Sequence, residues 1–409
     1  MDITLFLLQL AAMLTIAVVA GQLMRRLGQP AVIGELIGGV ILGPTLFGVL
    51  FPATYQRLFA ADEAVGLARD GLIAIGMLFF LFVAGLEVSQ AQVRQIGAKV
   101  VAISLLGMVL PFVLGFALVW FIPSLWGPSA ETHHLALAMT IGVALAVTAL
   151  PVIARILVDL GLMQDELAAV VLSAAIIDDL IGWTLFALIL SAFVPHGIHA
   201  VSDMPWLAPL LGGLFILLLV AGGRWLGPAA FQWIRRLLPW PGGFIAVTAI
   251  LIFLAAATAE SIGIHATLGA FFLGIALGRQ FDERNEAREV IYQFALSFFA
   301  PLYFVSVGLR VNFVTSFDWL LVTAVLAVAC LGKLAGATLG ARLGGMPPGR
   351  ALAVGFAMNA RGAMEVILAT VALQAGIIDQ RIFVALVFMA IVTSLMSGPA
   401  IKRLVSKQA

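Results

Sequence analysis

Asp178 and Asp179 stand side by side in an apolar stretch that runs from about Leu167 to Val194. A carboxylate at the centre of a membrane helix costs about 2.5–3.5 kcal/mol on insertion scales, and such groups mark ion or proton pathways. Two in succession point to a site that takes cations or protons. Neighbours on a helix project about 100° apart, so the two carboxylates cannot serve one spot with the same geometry and are expected to differ in role. Two basic residues, Lys333 and Arg361, also fall inside apolar segments and need partners there. Lys333 is the natural counter-ion for one of the aspartates. Arg361 stands four residues before Glu365, the spacing of an intrahelical ion pair, and this pair reads as a structural clamp.

The elements that hold these residues are membrane helices. Of 409 residues, 63% are hydrophobic and 11% charged, and the mean hydropathy is +1.14, which excludes an ordinary soluble domain. A net charge of +1 gives no reason to expect a nucleic-acid partner, and the single Cys330 excludes a disulfide framework or a four-cysteine metal centre. No cofactor is called for. A span needs about 20 apolar residues, and thirteen segments qualify. They lie at about 3–23, 30–50, 66–88, 98–121, 134–157, 166–194, 206–223, 243–260, 262–278, 290–309, 318–340, 351–375 and 381–400. The first carries Asp2 and no basic flank, so it reads as a retained span and not as a cleaved leader.

Loop charge gives the orientation. The connections after odd-numbered segments hold Arg25, Arg26, Arg94, Lys99, Arg155, Arg224, Arg235, Arg236, Arg279, Arg284, Arg288, Arg342 and Arg350, and the tail adds Lys402, Arg403 and Lys407. The other side has only Arg57, Arg69, Arg310 and Arg381. Basic loops stay cytoplasmic, which puts the N-terminus outside and the C-terminus inside a multi-pass cell (inner) membrane protein. Helix breakers recur in register. Thr148 to Pro151 interrupts the fifth segment and Asn359 to Gly362 the twelfth, seven segments apart, so the second unit is inverted relative to the first. Paired interrupted helices in inverted repeats point to a transporter site at the membrane midplane.

These residues resemble a known family, the monovalent cation:proton antiporters, in the branch of Kef-type potassium/proton and two-aspartate sodium/proton systems. The resemblance covers essentially the whole chain. It rests on Pro30-Ala31-Val32-Ile33-Gly34-Glu35 with Gly43-Pro44, on Phe82 to Glu87, Thr148 to Pro151 and Asp178-Asp179. It continues through Leu268 to Phe271 with Gly274, Gly332-Lys333-Leu334-Ala335-Gly336, and Arg361-Gly362. It implies an all-α homodimer with crossed discontinuous helices. Scaffold and dimer helices would occupy about 1–94 and 206–315, and moving core helices about 95–205 and 316–402. Matched by residue, Asp179 falls on the cation- and proton-binding aspartate, Asp178 on the partner of Lys333, and Thr148 on the unwound stretch lining the site. The double aspartate resembles electrogenic exchangers. The chain ends at Ala409 without the cytosolic nucleotide-binding domain of Kef systems, an expectation against nucleotide gating.

Elementary chemistry leads to the same expectation. A hard alkali cation such as sodium, potassium or lithium takes oxygen ligands, which carboxylates, a threonine hydroxyl and unwound carbonyls supply. A buried carboxylate can be neutralised by a proton or by the cation, and the two compete. Release of Lys333 from Asp178 offers a second proton. An intramembrane aspartyl protease would draw its two acids from different helices, with Gly-x-Gly-Asp on one, and a buried lysine would spoil their shared proton. A potassium channel would need a carbonyl filter resembling Thr-Val-Gly-Tyr-Gly, which does not occur. A Kef-type efflux subunit or a channel-like potassium pathway is the remaining alternative. Glu35 and Glu87 are not expected at the ion site, and His133, His134, His196 and His199 read as solvated residues of outward loops.

Overall fold

The computed structural model describes residues 2–60, 62–87, 97–160, 162, 165–193, 207–239, 241–262, 266–278, 280 and 286–406. Among these, every regular element is helical. His196, His199, Arg94, Arg279, Arg284 and Lys407 lie outside the described residues, as do the side chains of Glu87, Pro151, Arg155 and Arg235. The helices are α1 (Ile3–Arg26), α2 (Ala31–Leu42), α3 (Glu63–Glu87), α4 (Ala98–Phe121), α5 (Pro128–Ala146), α6 (Leu150–Asp159), α7 (Glu166–Phe193), α8 (Leu207–Trp225) and α9 (Gly227–Leu237). They continue with α10 (Gly242–Ser261), α11 (Ala266–Leu277), α12 (Glu286–Phe294), α13 (Ala300–Arg310), α14 (Trp319–Leu343), α15 (Pro348–Met358), α16 (Ala363–Gln374) and α17 (Gln380–Ser406).

Among the described residues, nine stretches are long and apolar enough to cross a membrane, or ten if α8 and α9, bent by 55°, count as one span. The chain is therefore a multi-pass membrane protein. The other three segments expected from sequence are the pairs α5/α6 and α15/α16, each broken in its middle, and the 12-residue α11. Thirteen crossings do not follow from helix length alone. A short helical turn opens at Pro128, but the backbone leaves the helix at His133 (φ −139°, ψ 47°), which is exposed, and α5 runs on from His134, which is half-buried and lies in the helix, not in a loop. His134 stacks on Trp120 at 4.7 Å.

The chain divides into two compact units. The first comprises residues 1–14, 57–94 and 187–303. Its centre is α11, in which every residue from Thr267 to Leu277 is buried. Glycines allow the neighbours to close around so short a helix. A methyl group on Gly85 would lie 2.1 Å from the Phe271 carbonyl oxygen, and one on Gly274 would lie 2.1 Å from that of Phe82, so α3 and α11 meet backbone to backbone. Small residues at such crossings let dispersion act at full strength where lipid removes any hydrophobic drive.

The second unit comprises residues 15–56, 95–186 and 304–409 and carries all the buried charges singled out from sequence. Here α14 lies along α4 on a stripe of glycines four residues apart. A methyl on Gly336 would sit 2.2 Å from the Leu106 carbonyl oxygen, and one on Gly340 would sit 2.4 Å from that of Ala102. This contact fixes the height of Lys333, which follows Gly332 on the same helix. On its other side α4 meets α5, where a methyl on Gly142 would fall 2.9 Å from the ring of Phe112.

Candidate functional site

The two broken helices meet at their breaks. Between α5 and α6 the residues Val147 to Ala149 leave the helix, and between α15 and α16 the residues Asn359 to Gly362 do the same. Pro151 supplies no amide hydrogen one position into α6, and Gly362 begins α16 with extended backbone, so each new helix starts without continuing the old one. The freed backbone groups bond across the crossing. The Ala149 amide donates to the Ala360 carbonyl at 3.1 Å, and the Thr148 hydroxyl reaches the Met358 carbonyl at 3.1 Å.

Asp178 sits beside this crossing, on α7, with no solvent exposure. Three donors converge on its carboxylate. Ser104 of α4 donates to Oδ1 at 2.6 Å, while Thr148 and Lys333 donate to Oδ2 at 2.9 and 2.7 Å. A buried carboxylate is tolerable in membrane only with such bonding. Thr148 has one hydroxyl hydrogen and two acceptors in reach, Asp178 and Met358, so it can serve only one at a time. Asp179, the next residue, is 1% exposed.

The end of α5 has its own cations. The last carbonyls of a helix have no partner within it and carry roughly half a negative charge together. Arg361 donates to the carbonyls of Ala144, at 2.7 Å, and Leu145, and Lys333 donates to that of Ala146. Three successive carbonyls are thus capped by two cations that are themselves fully buried. Glu365 lies 3.5 Å from Arg361, a longer contact than either carbonyl makes. Arg361 is not helical, so this pair is not the i,i+4 contact of a continuous helix that the spacing led one to expect. Ser394 of α17 donates to the Arg361 carbonyl and so ties α17 to the break.

Sequence reasoning thus singled out Asp178, Asp179, Thr148, Lys333, Arg361 and Glu365, and all six lie buried in one unit. It did not find Ser104, Ser394 or the capped carbonyls. Serine costs little in a membrane helix and carries no sequence signal, and a carbonyl carries none at all. Three acids face two bases in this cluster, leaving one net negative charge that a single cation or proton balances. Among the described residues no group of three or more His, Cys, Asp or Glu forms a metal cage. Glu35 is buried on α2, in the same unit but on a helix that packs against α1 at Gly34 and α13 at Gly39.

Comparison with known proteins gives the family and the fold. The chain is 32% identical to the Na(+)/H(+) antiporter NhaS4 of Synechocystis over 99% of its own length and 98% of that protein. It is 33% identical to cation/H(+) antiporter 18 of Arabidopsis thaliana over 97% of its own length but 48% of the plant protein, so it spans about half of several curated relatives. The sodium proton antiporter MjNhaP1 of Methanocaldococcus jannaschii superposes with a TM-score of 0.66 at 15% identity, covering 100% of this chain and 99% of that one, which establishes the all-helical fold. Residues 13–407 match the family described as sodium/hydrogen exchanger, transmembrane, and the chain belongs to that family.

Proposed function

We propose that the protein exchanges a monovalent cation for protons across the cell membrane by alternating access, with Asp179 as the group both compete for. The observation that carries this reading is the charge count of the buried cluster, in which three acids meet two bases. Empty, the cluster holds a surplus negative charge with no compensating cation, which is expensive to move through a low-dielectric barrier; an alkali ion or protons bound there remove it. Only loaded forms then change sides, which couples cation movement in one direction to proton movement in the other without ATP.

Asp178 serves as the fixed acid, held by Ser104, Thr148 and Lys333, while Asp179 binds cargo and Thr148 contributes its hydroxyl to the lining. The names of the cyanobacterial and plant relatives, antiporters of sodium or cations against protons, support the antiport reading and favour it over a Kef-type or channel-like potassium pathway. We further infer a homodimer of thirteen crossings in two inverted repeats, with the N-terminus outside and the C-terminus in the cytoplasm. The sixteen basic residues assigned to one side and the two broken helices support that topology. In it, core helices at about 95–205 and 316–402 move against scaffold helices at about 1–94 and 206–315.

The test is flux in proteoliposomes loaded with a pH dye, scanning sodium, lithium and potassium with and without clamped voltage. Cation-dependent proton movement is expected. Cation flux that proceeds with no opposing proton movement would indicate a channel and overturn the proposal.

A further inference from the structure

We propose that Glu365 is a second proton-exchanging carboxyl, loaded when the cation leaves Asp179 and emptied when it returns, an inference that rests on the antiport reading above. Glu365 is 1% exposed and stands in the first turn of α16, at the crossing of the broken helices. A carboxylate kept for structure alone normally spends several lone pairs on donors. Glu365 does not. Its hydrogen-bond contact is with Arg361 at 3.5 Å, and its other oxygen, Oε2, has no hydrogen-bond partner among the described residues; neither has Nε of Arg361. The charged groups that face it are Arg361, from the break, and Lys333, from α14.

Arg361 does not depend on that contact. Its guanidinium is held by the carbonyls of Ala144 and Leu145, so it keeps its hydrogen bonds and its compensating negative charge whether Glu365 is ionised or not. Glu365 is therefore free to take a proton without orphaning a buried cation. Lys333 is the charge partner of Asp178 and also donates to the Ala146 carbonyl; we keep it charged and assign to Glu365 the second proton that the sequence placed on Lys333.

The charge balance then follows. With an alkali ion on Asp179 and Glu365 ionised, three negative charges meet three positive ones. When the ion leaves and protons load both Asp179 and Glu365, the cluster carries one surplus positive charge, resting on the two cations that cap the negative end of α5. Only O–H bonds form and break, and each proton enters from water on one side and leaves to water on the other. Two protons cross for each cation, and one net charge moves per cycle.

The coupling ratio is read from the balance point of purified full-length protein in proteoliposomes at zero clamped voltage. At a ratio of two, a roughly tenfold proton gradient is balanced by a roughly hundredfold sodium gradient, and at a ratio of one by a roughly tenfold gradient. Wild type is expected at the hundredfold point, Glu365→Gln at the tenfold point, and Glu365→Asp back at the hundredfold point. A wild type balanced at tenfold, or a Glu365→Gln protein still balanced at hundredfold, overturns the assignment of Glu365 while leaving antiport intact. No exchange by wild type overturns both. Should Glu365→Gln not fold, sodium added to wild type in weakly buffered detergent solution should release about two protons per bound ion, and release of one overturns the proposal.

Discussion

Lys333 holds Asp178 at 2.7 Å with neither side chain exposed to solvent. The pair spans two helices, α14 and α7, and the lysine also reaches the end of α5, so one ammonium ties three elements together. Removing one partner of a buried pair leaves the other charge without compensation and costs about 3–5 kcal/mol, whereas removing both is often close to neutral. Lys333→Met should therefore lower the thermal unfolding midpoint of detergent-purified protein by many degrees. The double variant Lys333→Met with Asp178→Asn should recover most of that loss. Additive destabilisation by the two changes would mean that the ion pair contributes little to holding the helices.

How much of this could be read from the chain follows from what each residue costs. Asp178, Asp179, Lys333, Arg361 and Glu365 were legible because an ionisable group at bilayer depth is too expensive to be casual. The breaks were legible because Pro151 and Gly362 cannot continue a helix easily. The partners were harder. Arg361 and Glu365 have helical spacing, yet the break at Asn359 to Gly362 removes the helix between them, and the guanidinium turns to backbone carbonyls of α5 that no sequence pattern marks. Ser104 was silent for the same reason. The short turn that Pro128 opens ahead of α5 was missed because hydropathy starts the span at His134, just past the kink at His133.

Asp179 differs from its neighbour in how the fold treats it. Asp178 has three donors, from α4, α14 and the α5/α6 break, and the next carboxyl projects about 100° away around α7, the geometry on which we assign the cargo to Asp179. Asp179→Asn keeps the size of the side chain and removes its charge. Exchange in proteoliposomes should fall to background while the protein remains monodisperse on gel filtration and unfolds within a few degrees of wild type. Exchange that survives this change would move the cation site elsewhere.

The encased helix α11 gives a stability prediction remote from the site. A methyl on Gly274 would press to 2.1 Å from the Phe82 carbonyl oxygen, so Gly274→Ala must push α3 away from α11, and overpacking of this kind costs about 1–3 kcal/mol. Gly222 on α8 has nothing within 4 Å of that position. There the same change should be neutral or gain up to about 1 kcal/mol through helix propensity. Thermal unfolding of the two variants side by side checks the pair; equal effects would mean that the α3–α11 approach is looser than described.

Thr148 offers the sharpest separation of binding from folding, because its single hydroxyl hydrogen has two acceptors. Bonded to Asp178 it helps to hold the fixed acid; turned to the Met358 carbonyl it satisfies the second break and leaves its oxygen lone pairs for a cation. A hydrogen bond to a charged group contributes about 1.5–3 kcal/mol, equivalent to about tenfold or more in affinity. Thr148→Ala should therefore raise the cation KM for exchange by about tenfold or more, and Thr148→Ser, which keeps the hydroxyl and loses only a methyl, should restore most of it. Thr148→Val tests the remaining possibility, that shape alone matters, since it keeps the branched volume without the oxygen. A Thr148→Val protein with wild-type KM would show that the hydroxyl serves packing at the crossing and not the ion.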